Sequence, residues 1–315
     1  MALLSRVADS LFWAGRQVER AEDSARIVAA YTDTIVDLPR SVTTSWAPLL
    51  AITGHLPPSP ASNGGLVTDE VEVITHLLAD LDNPGSVASS INGARENLRS
   101  ARDVLPREAW RTLNDLWLFS AVGAADSVDR RSRPRFLSAV IDASRRLDGV
   151  IDTCMLRDDA YHLWRLGRLL ERADMTTRIL GVRAAALLRE DREYAGVQWM
   201  SVLHSLSGLQ MYQRASSRPV EGPAVVAFLL HEPRFPRSVR GCVAEMRDVL
   251  GELRRPGSVT MALDAVDLAL PPKCVADGTA LDLDRAMDRV QVALGSLCDS
   301  ITARYLRPGD QIAVG

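Results

Sequence analysis

Apolar residues at Leu4, Val7, Leu11, Ala14, Val18, Ala21, Ala25 and Val28 alternate by three and four along the opening of the chain. That spacing lines one face of an α-helix for about eight turns, and at 1.5 Å per residue ~30 residues reach about 45 Å, a length that suits the spine of a bundle. Strand-like alternation is nearly absent. Shorter apolar helices are expected beginning near Trp46 and Trp199 and around Leu77-Leu78 and Leu229-Leu230. Pro84-Gly85-Ser86 and Pro236-Arg237-Ser238 mark further helix starts, because proline suits the first helical turn and serine the cap. The pattern also predicts helices near Glu108 to Phe119, Phe136 to Met155, Met261 to Leu270 and Leu283 to Tyr305. Loops are expected at 57–65, 216–223 and 271–278, with 307–315 as a frayed tail.

Laid on itself, the chain repeats. Gly15-Arg16-x-x-Glu19-Arg20-Ala21 recurs as Gly167-Arg168-x-x-Glu171-Arg172-Ala173, 152 positions later. At the same offset Phe12 meets Trp164, Arg26-Ile27 meets Arg178-Ile179, and Pro84-x-Ser86-Val87 meets Pro236-x-Ser238-Val239. Several blocks in one order at nearly one offset imply a tandem duplication. The expected architecture is all-α, with two tandem, pseudo-symmetric helical-bundle units packed together: residues 1–150, residues 151–306, and the tail 307–315.

Composition narrows the function classes. The chain of 315 residues carries a formal net charge of −3, too small a field to draw it to nucleic acid or an acidic membrane surface. Arg6 and Asp9 interrupt the opening before a signal-type apolar core forms, and the longest apolar run, Ala224 to Leu230, is far short of a bilayer span. Cys154, Cys242, Cys274 and Cys298 are scattered, with no disulfide framework or zinc spacing, which fits a reducing cytoplasm. No Walker loop, dinucleotide fingerprint, nucleophile elbow or H-E-x-x-H motif is present, and no histidine pair sits at metal-binding spacing. No cofactor or metal is therefore expected, and independent catalysis is disfavoured.

The candidate chemistry lies beside the apolar seam. On the first spine helix Arg16, Glu19, Glu22 or Asp23, and Arg26 share one stripe, and Arg168, Glu171, Asp174 and Arg178 repeat it, with Arg20 and Arg172 adjoining. A solvated face would tolerate Lys for Arg or Gln for Glu, yet Gly, Arg, Glu, Arg and Arg are identical in both copies. Three readings stay open: a buried structural network, an anion or partner site, and a solvated face with i,i+4 pairs. A glycine inside a helix costs about 1 kcal/mol against alanine, so Gly15 and Gly167 point to close approach of another helix or a ligand. A second stripe, Asn92, Arg95, Glu96 and Arg99, follows Pro84. If the stripes meet, Glu19 pairs with Arg95 or Arg99, and Arg16 with Glu96.

Leu3-Leu4-Ser5-Arg6-Val7-Ala8 leading into Gly15-Arg16-x-x-Glu19-Arg20-Ala21-Glu22 resembles the opening of alpha-E domain proteins, an all-helical family carrying a Glu-Arg motif. Ser90-Ile91-Asn92-x-Ala94-Arg95-Glu96, Met155-x-Arg157-Asp158 and Phe235-Pro236-Arg237-Ser238-Val239 extend the likeness over nearly the whole chain. The resemblance implies company with a circularly permuted ATP-grasp protein and a transglutaminase-like peptidase. It thus implies an accessory or scaffold role in peptide or amide-bond ligation, modification or processing, with a peptide substrate as a further partner. The alternatives are a helical transferase or hydrolase using Glu and Arg on an anionic substrate, and a structural homo-oligomer.

Overall fold

A computed structural model of the chain describes residues 4–37, 45–53, 69–184, 194–216, 218–272 and 280–307. Those residues form thirteen α-helices and no strand. In chain order they are α1 (Ser5–Asp37), α2 (Ala47–Thr53), α3 (Glu70–Leu78), α4 (Val87–Ser100), α5 (Arg107–Asp126), α6 (Arg133–Cys154) and α7 (Asp159–Ile179). Then follow α8 (Ala195–Ser205), α9 (Leu209–Ala215), α10 (Gly222–His231), α11 (Val239–Glu252), α12 (Gly257–Ala269) and α13 (Ala280–Ile301).

The seam predicted for α1 is buried from Leu11 through Val28, while Leu4, at its start, is exposed. Serine caps begin the helices that proline introduces: Ser86 Oγ accepts from Ser89 N at 3.0 Å, and Ser238 Oγ accepts from Gly241 N at 2.9 Å. Each bond satisfies one donor that the first helical turn leaves without an intrahelical partner. The predicted loop at 216–223 ends two residues early, because Gly222 and Pro223 already form the first turn of α10. Proline fits there since that N–H has no helical acceptor. The predicted loop at 57–65, most of 271–278 and nearly all of the tail lie outside the described residues.

Helices α1 and α7 pack directly on each other, α4 and α6 flank α1, and α11 and α13 flank α7. Gly15 and Gly167 set the crossing. A Cβ on Gly15 would overlap the Trp164 carbonyl oxygen, and one on Gly167 would overlap the Phe12 carbonyl oxygen. The glycines therefore pack helix backbone against helix backbone, which brings each Glu-Arg motif within reach of the other.

Candidate functional site

Because α1 and α7 cross at the glycines, the charged residues one turn on face the opposite helix. Arg16 Nε donates to Glu171 Oε2 at 2.7 Å and Arg20 Nε to Glu171 Oε1 at 2.5 Å. In return, Arg168 Nε donates to Glu19 Oε2 at 2.6 Å and Arg172 Nε to Glu19 Oε1 at 2.7 Å. Each glutamate thus accepts from the two arginines of the other motif. Of the three open readings the solvated face is corrected: Glu19 and Glu171 are fully buried, and Arg168 is 4% exposed.

Around Glu19 the network widens. Arg168 Nη2 reaches Glu22 Oε2 at 2.9 Å, and Arg26 pairs with Glu22 one turn along α1. Arg237, from the turn between α10 and α11, donates through Nη1 to Asp23 Oδ1 at 2.5 Å and through Nη2 to Glu22 Oε1 at 3.1 Å. Around Glu171 the set is smaller: Arg16 Nη1 lies 3.3 Å from Cys298 Sγ, and Arg178 pairs with Asp174 at 2.9 Å.

The charges follow from this wiring. Burial opposes ionisation of Glu19, but Arg168, Arg172 and Arg237 outweigh it and hold the carboxyl well below its usual range. Glu171 is likewise lowered, against burial, by Arg20 and Arg16. Asp23 goes the other way. Burial, with Glu19 and Glu22 adding repulsion, overcomes Arg237 and pushes its carboxyl up to about 7; its Oδ2 has no hydrogen-bond partner among the described residues. A carboxylate locked ionised between two guanidiniums is a poor general acid, and neither Glu19 nor Glu171 is poised to move a proton near neutrality. Among the described residues no group of His, Cys, Asp and Glu is arranged to hold a metal ion.

The second stripe does not join. Asn92 and Arg95 lie against α5 rather than against the Glu19 or Glu171 network: Arg95 stacks on Trp117, 4.0 Å from the ring centroid, and donates to Asn114 Oδ1 at 3.1 Å. Glu96 pairs with Arg95 and Arg99 at the surface, and Asn92 Oδ1 accepts from Trp117 Nε1 at 3.1 Å. The expected pairing of Glu19 with Arg95 or Arg99, and of Arg16 with Glu96, is thereby corrected. The partners of each motif come from the other spine helix, and the α4 groups find theirs on α5 and along their own helix.

Arg237 and Asp148 are the members that sequence reasoning left without a role. Arg237 sits in Pro236-Arg237-Ser238, where the aligned triplet reads Pro84-Gly85-Ser86; that Gly-to-Arg difference was the available signal. Asp148 lies on the half-exposed side of α6, with Oδ1 2.8 Å from Arg168 Nη1.

Beside this network an open polar cleft of about 400 Å³ lies between α6, α7 and α11, with Trp164, Arg168 and Arg172 among the residues that line it. No helix among the described residues is long and apolar enough to cross a membrane.

Residues 3–306 match the model of the alpha-E family, described as a predicted alpha-helical domain with a conserved ER motif. Uncharacterized proteins of Mycobacterium bovis and of two strains of Mycobacterium tuberculosis are 24% identical over 336 aligned positions, which cover 96% of this chain. The chain spans 37% of the length of those relatives. No solved structure matches it. The match runs through both spine helices and both Glu-Arg motifs, and the chain belongs to the alpha-E family.

Proposed function

We propose that the chain is an accessory helical protein of a cytoplasmic system that ligates, modifies or processes peptides. In this reading it acts with a circularly permuted ATP-grasp protein and a transglutaminase-like peptidase and has no independent catalysis. The observation that carries the non-catalytic part is the occupancy of Glu19 and Glu171. Both oxygens of each carboxylate accept from buried or half-buried arginines, so the best acid–base candidates are spent on joining α1 to α7. The partner assignment extends the resemblance in the sequence. The greater length of the mycobacterial relatives, in which a chain like this one makes up 37%, supports a helical unit that works alongside other polypeptide.

The reading includes two diverged units, 1–150 and 151–306, joined through their motifs. It is supported by the reciprocal bonds between Arg16, Arg20 and Glu171 and between Arg168, Arg172 and Glu19, and by the mutual glycine contacts.

Size-exclusion chromatography of the purified chain with the ATP-grasp protein, followed by a ligation assay with and without the chain, tests the role. A co-eluting complex and product formation that depends on the chain are expected. Product made by the chain alone, and lost in a folded Glu19→Gln protein, would establish the enzyme reading instead. A self-associating chain that ignores the ATP-grasp protein would establish the structural one.

A further inference from the structure

The cleft between α6, α7 and α11 is lined by two residues with an N–H group that has no hydrogen-bond partner among the described residues. Trp164 is fully buried, and its indole Nε1 has no hydrogen-bond partner among the described residues. Arg168 Nη1, also buried, lies 2.8 Å from Asp148 Oδ1 but is not aligned to donate to it. Buried N–H groups are ordinarily satisfied, because leaving one unpaired forfeits the hydrogen bonds it made to water. Both residues line the cleft, so an acceptor seated against them meets two N–H donors set behind the carboxylates of the rim.

The surrounding charges decide what kind of acceptor. Arg168 and Arg172 are already matched by Glu19 and Glu22, so the field left in the cleft comes from its outer residues. These are Arg145 and Arg165 against Asp148, Asp152 and Glu245, two positive and three negative. Glu245 holds Arg165 at 3.0 Å, and Asp152 accepts from Tyr161 Oη at 2.6 Å. A phosphate dianion would gain little from such a rim, since three carboxylates repel it. A ligand with a carboxylate and an ammonium a few ångströms apart would satisfy both layers, its carboxylate on the Trp164 and Arg168 donors and its ammonium beside Asp148. A volume of about 400 Å³ admits a molecule of that size.

We propose that this cleft binds a small zwitterion of the α-amino acid or dipeptide kind. The site is tied to the second motif and has no counterpart at the first: the residue aligned with Trp164 is Phe12, which has no ring N–H, and Cys298, not a carboxylate, lies against Arg16. The proposal stands on the cleft's own groups and survives if the chain does not associate with an ATP-grasp protein.

Titration of the ¹⁵N-labelled full chain with glycylglycine, glycine, propionate and inorganic phosphate at one ionic strength tests it. The Trp164 indole resonance, assigned by its loss in Trp164→Phe, should move saturably with glycylglycine or glycine. Propionate and phosphate should bind about tenfold more weakly or not at all. A stronger response to glycylglycine would assign the dipeptide, and a stronger response to glycine the free amino acid. Trp164→Phe, followed by calorimetry, should weaken glycylglycine about tenfold, and Phe12 shows that phenylalanine fits a spine helix at the matching place. Asp148→Asn, at a half-exposed position, should weaken glycylglycine severalfold while leaving propionate unchanged. Equal affinity for propionate and glycylglycine, tighter binding of phosphate, or an indole resonance that no probe moves would each overturn the proposal.

Discussion

The clusters around Glu19 and Glu171 are built from the same Gly-Arg-x-x-Glu-Arg-Ala sequence, and one is closed where the other is partly open. The arginines that meet Glu19 are 4%, 14% and 9% exposed at Arg168, Arg172 and Arg237. Those around Glu171 and Asp174 are 13%, 26% and 33% exposed at Arg16, Arg20 and Arg178. The difference comes from outside the motif. Arg237 enters from the α10–α11 turn and closes over Glu19, Glu22 and Asp23, whereas the aligned position on the other side is Gly85. Arg237 in the capping turn and Asp23, where the aligned residue is Met175, together turn a bidentate clamp into a wider buried network, at the cost of crowding three carboxylates together.

Glu19→Gln should separate the clusters most. It leaves Arg168, Arg172 and Arg237 buried around a neutral amide, and breaking a buried pair costs about 3 to 5 kcal/mol. Thermal or denaturant unfolding should show a large loss, or failure to accumulate folded protein. Glu171→Gln should cost about half as much, because Arg20 is a quarter exposed and can turn to water. Equal losses would mean that Arg237 contributes nothing. Gly167→Ala comes next. Its Cβ meets the Phe12 backbone, which no rotamer change can relieve, so α1 and α7 must part, at roughly 1 to 2 kcal/mol after the better helix propensity of alanine is credited. That strain should weaken both clusters, whereas Glu19→Gln acts on one.

The apolar seam of α1 and the serine caps of α4 and α11 were legible because each is a local or periodic property, whereas the Glu-Arg stripe left burial and exposure both open. Periodicity names the face that a residue occupies and says nothing of which helix will cover it. A buried guanidinium needs a carboxylate, and Glu96 satisfied that requirement on paper as well as Glu171 does in the fold. The glycines carried the missing information: a residue that lets backbones touch, repeated at both copies, points to the copies touching each other. Arg237 was hidden by its position in a turn, where it reads as a helix start, and Asp148 by lying on the outward side of α6.

Asp23 gives the comparison an opposite sign. Its carboxyl is pushed up to about 7 in the fold against an ordinary value of 3.8, so between those values the folded chain binds a proton that the unfolded chain has released. Stability from this group is therefore greatest at low pH and falls as pH rises through about 7. Glu19 and Glu171, lowered in the fold, contribute stability that is present above pH ~4.5 and lost as the pH drops through their folded values. Asp23→Asn should raise the melting temperature at pH 8, by less than Glu19→Gln lowers it, and the gain should shrink as the pH falls from 7 toward 4. A variant less stable than the parent at pH 8 would show that Arg237 needs the charge of Asp23 more than Asp23 suffers from burial.

The smallest effect is expected at Arg95, and it checks whether the α4 stripe stands apart from both clusters. Arg95 stacks on Trp117 and Trp110 and bonds to Asn114, all on α5, and its ion pair with Glu96 is close to the surface. A partly exposed cation–π contact contributes about 0.5 to 1 kcal/mol, and a surface pair little more. Arg95→Ala should therefore cost about 1 kcal/mol. In a double-mutant cycle with Glu171→Gln, the more tolerant of the two cluster variants, the costs should add, since the two positions share no partner. An interaction energy well above about 0.5 kcal/mol in that cycle would mean that α4 helps to hold α1 against α7, and the stripe would belong to the site after all.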